Sequence, residues 1–374
     1  MNIFFTGSEG IREGVPFLLD ARMRPLTVAN AWLREIAQDG ATSSSHTLRT
    51  YAYTLFDFFS YLEANKLNWL EVSNDVILSY RDTQDQNVSP HTKRDLNRRT
   101  INARLMTVGR FYAFAFEERH IKYNPVRYKK IKVRPPADTQ LLSHLGYQRE
   151  VEVPVAAYER LPAPKIKWRS HQEVMRWMNS IAIWRDKLIS KLLYRTGMRR
   201  EELVSLKTSD LPKRGSVDTS RLEVEFVITG KGRKSRAIYP ATRDFLELHD
   251  YIKVERAQAV SRMKAKHDLI FVTRRGQPLR PHCLNLIFKR VSEGCGITIT
   301  PHMLRHSFAV TALQHWKSIG VSRPEKLLQA RLGHASLITT QIYMHLTDEM
   351  RAEEACANAS LIELFLRGEI DEAE

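Results

Sequence analysis

Along the first half of the chain, apolar residues return every three or four positions. In the segment after Thr47, Leu48, Tyr51, Leu55, Phe58 and Leu62 step by three, four, three and four. That period puts them on one stripe of an amphipathic helix. The run Thr42-Ser43-Ser44-Ser45 ahead of it offers N-cap candidates. A second stripe, Ile101, Leu105, Val108, Tyr112 and Ala115, follows Ser89-Pro90 and predicts another long helix, which Asn124-Pro125 closes. Arg94, Arg98, Arg99, Arg104 and Arg110 crowd this second helix. A helix can pack one stripe on a bundle and turn its guanidiniums to a phosphate backbone, although an ordinary solvated face accounts for each arginine equally well.

After the second helix the periodicity fades and prolines gather: Pro135-Pro136, Pro154, Pro162 and Pro164, beside Lys129-Lys130. This is linker composition and marks a domain boundary, with the linker at 129–165. Beyond it the pattern is mixed. Residues 171–193 and 199–206 read as helices. Val224-Glu225-Phe226-Val227-Ile228 alternates as a strand, Gly230-Lys231-Gly232 supplies a turn, and Arg236-Ala237-Ile238-Tyr239 reads as the return strand. Helices fill the rest. Near the start, Pro16-Phe17-Leu18-Leu19 suits a short strand or an extended arm, and residues 1–40 form an extension of unassigned role. The fold class is therefore mainly α with a small antiparallel β-sheet, in a helical domain at 41–128 and a mixed α/β domain at 166–350, before a tail at 351–374.

Length and charge sharpen this picture. The 374 residues suit two domains. No run approaches the roughly 20 apolar residues of a membrane helix, so no membrane association is expected. The start lacks a basic segment leading into an apolar run, so no secretory leader is expected either. Cys283, Cys295 and Cys356 are odd in number and not spaced as metal ligands. They read as free thiols of a reducing compartment, so a cytoplasmic location is expected. Lysine and arginine total 58 against 42 acids, a net charge of +16. The excess is uneven: residues 347–374 carry a net −7, which leaves the body at +23. A body that basic suits a polyanion, and nucleic acid is the commonest one.

Four pieces of the second half then stand out. They are Thr196-Gly197-Met198-Arg199-Arg200-Glu201-Glu202-Leu203, the hairpin turn Gly230-Lys231-Gly232-Arg233-Lys234, Pro301-His302-Met303-Leu304-Arg305-His306, and Arg331-Leu332-Gly333-His334 with Tyr343 nine residues on. Together they suit phosphoryl transfer to a tyrosine. Two guanidiniums, Arg199 and Arg305, can hold the non-bridging oxygens of a pentacoordinate phosphorus. His302 and His334 can move a proton or donate to those oxygens, and Lys231 can protonate a departing 5′ oxygen. The Tyr343 phenol, with an ordinary pKa of about 10, needs such a cationic pocket to become a nucleophile. Each residue also has a plainer explanation. His302 and His306, four apart, could face one zinc ion, but a metalloprotease helix needs a glutamate after the first histidine, and Met303 stands there.

These boxes, in this order, resemble those of the tyrosine recombinase (phage integrase) family. The helix after Thr47 and the stretch from Thr100 to Val126 resemble its helical, SAM-like core-binding domain. The resemblance spans roughly residues 40–350, and it implies a C-shaped clamp on duplex DNA. It also implies roles: Arg199 and Arg305 stabilise the transition state, Lys231 is the general acid, and His302 assists proton transfer at the nucleophile. His334 hydrogen-bonds the scissile phosphate, Glu202 braces the site and Tyr343 forms the 3′-phosphotyrosine link. Arg94, Arg98, Arg99, Arg104, Arg110, Arg233 and Lys234 are the DNA-binding candidates. No cofactor and no metal are implied, because the covalent link conserves the bond energy. The implied partners are double-stranded DNA with paired recognition sites and three further copies of the chain, with a related second recombinase an alternative partner. The implied activity is integration, excision or resolution through a Holliday junction. Two other readings stay open: a type IB topoisomerase-like relaxation, and a non-catalytic DNA-binding protein on the same fold. The tail pattern at 355–366 either packs on its own domain or docks on a neighbouring subunit.

Overall fold

The computed structural model describes residues 1–6, 14–38, 45–86, 95–133, 149–158, 166–230, 235–263, 267–334, 337, 340–348 and 350. They divide into two compact units, the first formed by residues up to Pro135 together with His144–Pro164, the second dominated by Lys165 onward.

The first unit is built on both predicted helices. Ser45–Ala64 (α2) and Arg98–Glu117 (α4) carry the anticipated stripes, and Leu48, Leu55, Phe58, Leu62, Ile101, Leu105, Val108, Tyr112 and Ala115 are all buried. Asn97 caps α4 by accepting from the Arg99 N–H at 2.9 Å. Between them lies Asn74–Gln86 (α3), whose Tyr80 packs edge-on against Phe58 with ring centroids 5.0 Å apart. Burying a side chain of this size contributes roughly 1.5–3 kcal/mol, so the aromatic cluster dominates this core.

Residues 1–40 are not a separate extension. Asn2–Phe5 (β1) pairs antiparallel with Pro16–Leu19 (β2), and Thr27–Gln38 (α1) follows. Asn30 of α1 both accepts from the Leu18 N–H at 2.7 Å and donates to the Leu18 carbonyl at 2.9 Å. This exchange satisfies a buried strand edge, and Leu18, Trp32 and Leu33 join the core of the first unit. The 129–165 segment also departs from a plain linker. Tyr128–Val133 (β3) pairs in antiparallel register with Arg149–Pro154 (β4), from Tyr128 opposite Pro154 to Val133 opposite Arg149. Its continuation is tied down, with the Tyr158 N–H and carbonyl both bonded to the Asn102 side chain at 2.9 Å. Alternating Val151 and Val153 supply the strand signal beneath the prolines.

The second unit starts from His171–Asn179 (α5), opened by a reciprocal capping box between Ser170 and Glu173. Trp184–Thr196 (α6) and the short Arg200–Val204 (α7) follow. The predicted hairpin is present as Phe226–Thr229 (β5) and Ser235–Ile238 (β6), with Phe226 opposite Ile238 and Thr229 opposite Ser235. Thr242–Tyr251 (α8), Ala257–Met263 (α9), Pro281–Cys295 (α10), Pro301–Ser318 (α11) and Pro324–Leu332 (α12) complete the unit. Residues 340–348 form a last helix. Trp177, Leu192, Phe245, Phe271, Phe288 and Leu304 lie in one core. A smaller cluster of Ala309, Val310, Leu313, Leu328 and Leu332 receives Tyr343 from the last helix. No helix among the described residues is long and apolar enough to cross a membrane.

Candidate active site

The C-terminal ends of two helices organise the site. Gly197 ends α6 at φ +61°, and Gly333 ends α12 at the same angle, the left-handed turn that suits glycine. Space demands glycine as well. A Cβ on Gly197 would stand 2.5 Å from Phe308, and one on Gly333 would stand 2.3 Å from Arg236 Cδ.

Arg305 lies between these ends. Thr300 caps α11 through the Met303 N–H and Pro301 opens it, which sets Arg305 one turn into the helix. Its Nη1 donates to the Gly197 carbonyl at 2.5 Å and its Nη2 to the Leu332 carbonyl at 2.8 Å. Terminal helix carbonyls lack intrahelical partners and carry the negative end of the dipole. They therefore compensate a guanidinium that is 97% buried, with a relative exposure of 3%. Burial first, then Arg199 and Arg236, press its pKa down to about 9, which still leaves a cation at neutral pH.

Arg199 caps α7, and its Nη1 donates to Glu202 Oε1 at 2.8 Å while its backbone N–H donates to Glu202 Oε2 at 2.8 Å. The buried Glu202 also receives Arg236 Nη2 at 2.7 Å. Burial pushes the Glu202 carboxyl up, but Arg236 and Arg199 outweigh it and hold the group below its ordinary value. Glu202 is thus a bridge between two guanidiniums.

His302 sits with Arg199, Arg200, Glu201, Asn285 and Arg305 around an open cleft of about 630 Å³. Burial, then Arg305 and Arg199, lower its pKa. Tyr343 is buried, and burial raises its phenol above the usual value although Arg305 and Arg199 pull the other way. The phenol is therefore neutral at rest. Its Oη lies 2.6 Å from Nδ1 of His306. His334 stacks parallel to the Tyr343 ring, with centroids 6.4 Å apart and planes at 9°, and its Nδ1 lies 3.0 Å from Thr340 Oγ1. Burial and the cations Arg305 and Arg199 lower the His334 pKa to about 3, so this imidazole is neutral.

The structure thus brings together Arg199, Glu202, His302, Arg305, His334 and Tyr343 within one unit. Lys231, Arg233 and Lys234 lie outside the described residues, as do Arg94 and the tail from 351. The other arginine candidates all sit on α4 of the first unit. Arg98 lies over the Tyr158 ring and pairs with Asp85 at 3.8 Å. Arg99 is exposed at the start of the helix, and Arg110 is hydrogen-bonded to Tyr51 Oη. Arg104 differs from the expectation. It pairs with Asp57 at 2.9 Å and bonds Gln84, so its guanidinium is engaged inside the unit and joins α2, α3 and α4. Among the described residues no three His, Cys, Asp or Glu side chains cluster as a metal site.

Two residues of the site escaped the sequence reading. His306 had entered only as half of a metal pair, yet its spacing of four from His302 sets the two rings edge to face with centroids 4.2 Å apart on one helix face. Arg236 could have been found by alternation. It shares a strand face with the buried Ile238, and an arginine on an inward face needs partners. Besides Glu202, its Nη1 donates to the Arg331 carbonyl at 2.5 Å.

With this geometry in place, two family models match the chain. One described as "Phage integrase family" matches residues 167–350, and one described as "Phage integrase, N-terminal SAM-like domain" matches residues 29–119. The second begins inside the segment first taken as an extension. Among curated relatives, a tyrosine recombinase XerC of Roseiflexus sp. (strain RS-1) is 30% identical over 326 residues, 86% of this chain and 90% of that protein. The XerC of Bacillus subtilis (strain 168) is 29% identical over 309 residues, 82% and 88% of the two chains. A XerD of Rickettsia conorii (strain ATCC VR-613 / Malish 7) is 30% identical over 312 residues, 81% and 89%. Of solved structures, XerH site-specific recombinase bound to palindromic difH substrate, a post-cleavage complex, aligns with a TM-score of 0.60 at 20% identity. That alignment covers 84% of this chain and 80% of the other. A lambda integrase (75–356) dimer bound to a COC′ core site aligns at 0.54 and 15%, covering 85% and 94%. At these identities the structural likeness concerns the fold.

Proposed function

The chain belongs to the phage integrase family of tyrosine recombinases, and from that premise we propose that Tyr343 is the nucleophile of its site-specific DNA recombination. The relatives it matches over most of their length are recombinases, which leaves relaxation of the topoisomerase type without support. One observation carries the assignment of the nucleophile. A buried tyrosine hydroxyl, neutral at rest, meets a histidine nitrogen at 2.6 Å in a site that also holds two guanidiniums.

In this reading the scissile phosphate of duplex DNA enters the cleft between Arg199 and His302. Arg199 and Arg305 meet the non-bridging oxygens, whose charge grows as phosphorus becomes pentacoordinate. Arg305 is held ready by the two helix ends, so little reorganisation accompanies the reaction. His302 lines the same cleft and donates there. When Thr340 donates to its Nδ1, the neutral His334 presents Nε2–H to a phosphoryl oxygen. Lys231, in the turn between β5 and β6, gives its proton to the leaving 5′ oxygen. The product is a 3′-phosphotyrosine link, which a 5′ hydroxyl from a partner strand then attacks to rejoin the DNA. Four copies exchange strands pairwise through a Holliday junction, with the tail beyond residue 350 docking on a neighbour. The exposed arginines Arg98 and Arg99 of the first unit steady the duplex through its phosphates.

The test uses duplexes with a randomised half-site, nicked so that cleavage releases a short strand and traps the covalent complex. The wild-type chain should capture a subset of them. On a captured sequence, Tyr343→Phe should bind as tightly as wild type and trap nothing. Covalent capture by Tyr343→Phe, or none by wild type from the whole library, would overturn the reading.

A further inference from the structure

We propose that His306, rather than His302, is the residue that directly takes the proton of Tyr343 as its hydroxyl attacks phosphorus, and returns it when the strand is rejoined. This rests on the assignment of Tyr343 as nucleophile.

The argument is one of geometry and elimination. An attacking phenol must lose its proton to a group within hydrogen-bond reach. The 2.6 Å contact from Nδ1 of His306 to Tyr343 Oη is such a group, on the reacting atom itself. The other neighbours are unsuited. Arg199 and Arg305 are donors only. His334 lies parallel to the phenol ring, with Nδ1 engaged at Thr340. His302 contacts the His306 ring edge-on, with centroids 4.2 Å apart, and lines the phosphate cleft instead. With the His306 proton on Nε2, Nδ1 is free to accept.

The step balances. The Oη–H bond of Tyr343 breaks and its proton passes to His306 Nδ1. The Oη–P bond forms, the P–O5′ bond breaks, and O5′ leaves with a proton from the general acid. His306 ends as an imidazolium. In rejoining, the incoming 5′ hydroxyl returns its proton to the deprotonated general acid as the O5′–P bond forms and the Oη–P bond breaks, and Tyr343 Oη recovers its proton from His306.

The surroundings explain why this base waits for DNA. The groups that face His306 are His302 and Arg305 on its own helix, Tyr343 from the last helix, and His334 from the corner after α12. Burial, His302 and Arg305 hold its pKa down to about 4. A phosphate anion in the cleft opposes Arg305 electrostatically and makes the imidazolium easier to form. The free chain therefore keeps its nucleophile protonated, and the substrate itself completes the base.

The experiment measures single-turnover covalent trapping by the full chain on the captured duplex, made with an ordinary and with a 5′-bridging phosphorothiolate linkage. His306→Asn leaves a hydrogen-bonding group near the Nδ1 position but no base. It should bind DNA as wild type does and trap at least about 10²-fold more slowly. The phosphorothiolate, whose thiolate needs no acid to leave, should not rescue it, and its rate should climb with pH toward the phenol pKa. Trapping within about threefold of wild type, or rescue by the phosphorothiolate, would overturn the proposal. If His306→Asn loses its cooperative melt, His306→Gln is judged by the same limits. If neither variant folds, His306 is structural and the proposal falls. Tyr343→Phe in parallel separates the two readings: covalent capture by that variant removes the nucleophile assignment, whereas normal trapping by His306→Asn removes only the role of His306.

Discussion

Protonation at the residue scale decides how the site rests. His334 is held neutral by burial and by Arg305 and Arg199, with a pKa of about 3, while an unfolded histidine titrates near 6.5. As pH falls, the unfolded chain binds this proton first. The contribution of His334 to stability is therefore full above pH about 6.5 and is lost progressively from there toward 3. Urea midpoints should fall between pH 7.5 and 5, and His334→Gln should show a shallower fall. An unchanged slope in that variant would place the effect elsewhere. Arg305 shows the opposite balance: a buried cation whose direct hydrogen bonds go to two backbone carbonyls, with the Glu202 carboxylate acting on it only through its field. Side-chain identity alone could mark this arginine as important, but its partners are carbonyls, which every residue has.

At the scale of elements, the hairpin and α12 act as one piece. Arg236 reaches from β6 to Glu202 and to the end of α12. In return, Arg331 of α12 forks onto Glu223 at 2.8 and 3.0 Å and lies 4.1 Å over the Tyr239 ring. The hairpin that bears Lys231 is thereby anchored at its base to the box that bears His334. Gly333 permits this approach. Gly333→Ala should destabilise the chain by more than the roughly 1 kcal/mol of a left-handed alanine, because its Cβ meets Arg236. Gly320→Ala is the control, being left-handed at φ +72° with nothing within 4 Å of the added carbon. Chemical denaturation and trapping rates compare the two. Equal losses in both variants would mean that the Arg236 contact contributes nothing. The sequence predicted the hairpin well because alternation and a Gly-rich turn are local signals. It misjudged residues 1–40 and 129–165 because short strands gain their stability from partners distant along the chain.

For the whole molecule, charge and assembly set the expectations. A body of +23 with a tail of −7 suits binding to a polyanion that leaves the tail free to meet another basic surface. Deleting residues 355–374 should spare binding to a single site and reduce pairing of two sites by at least about tenfold. Mobility-shift and synapsis assays report the two steps separately, and undiminished synapsis would show that the tail does not join protomers. Binding should also weaken steeply as salt rises, since phosphate contacts release counterions.

What the sequence alone determined was the order and kind of the reactive residues, the two long helices and the family. These follow from periodicity and from motifs whose spacing is local. Only the tertiary structure decided which histidine touches Tyr343, how the charge of Arg305 is compensated, and that Arg236 completes the site. The reason is physical. Contacts made to backbone carbonyls, and choices between two histidines one helical turn apart, depend on distances of an ångström or two, and the order of residues carries no record of them.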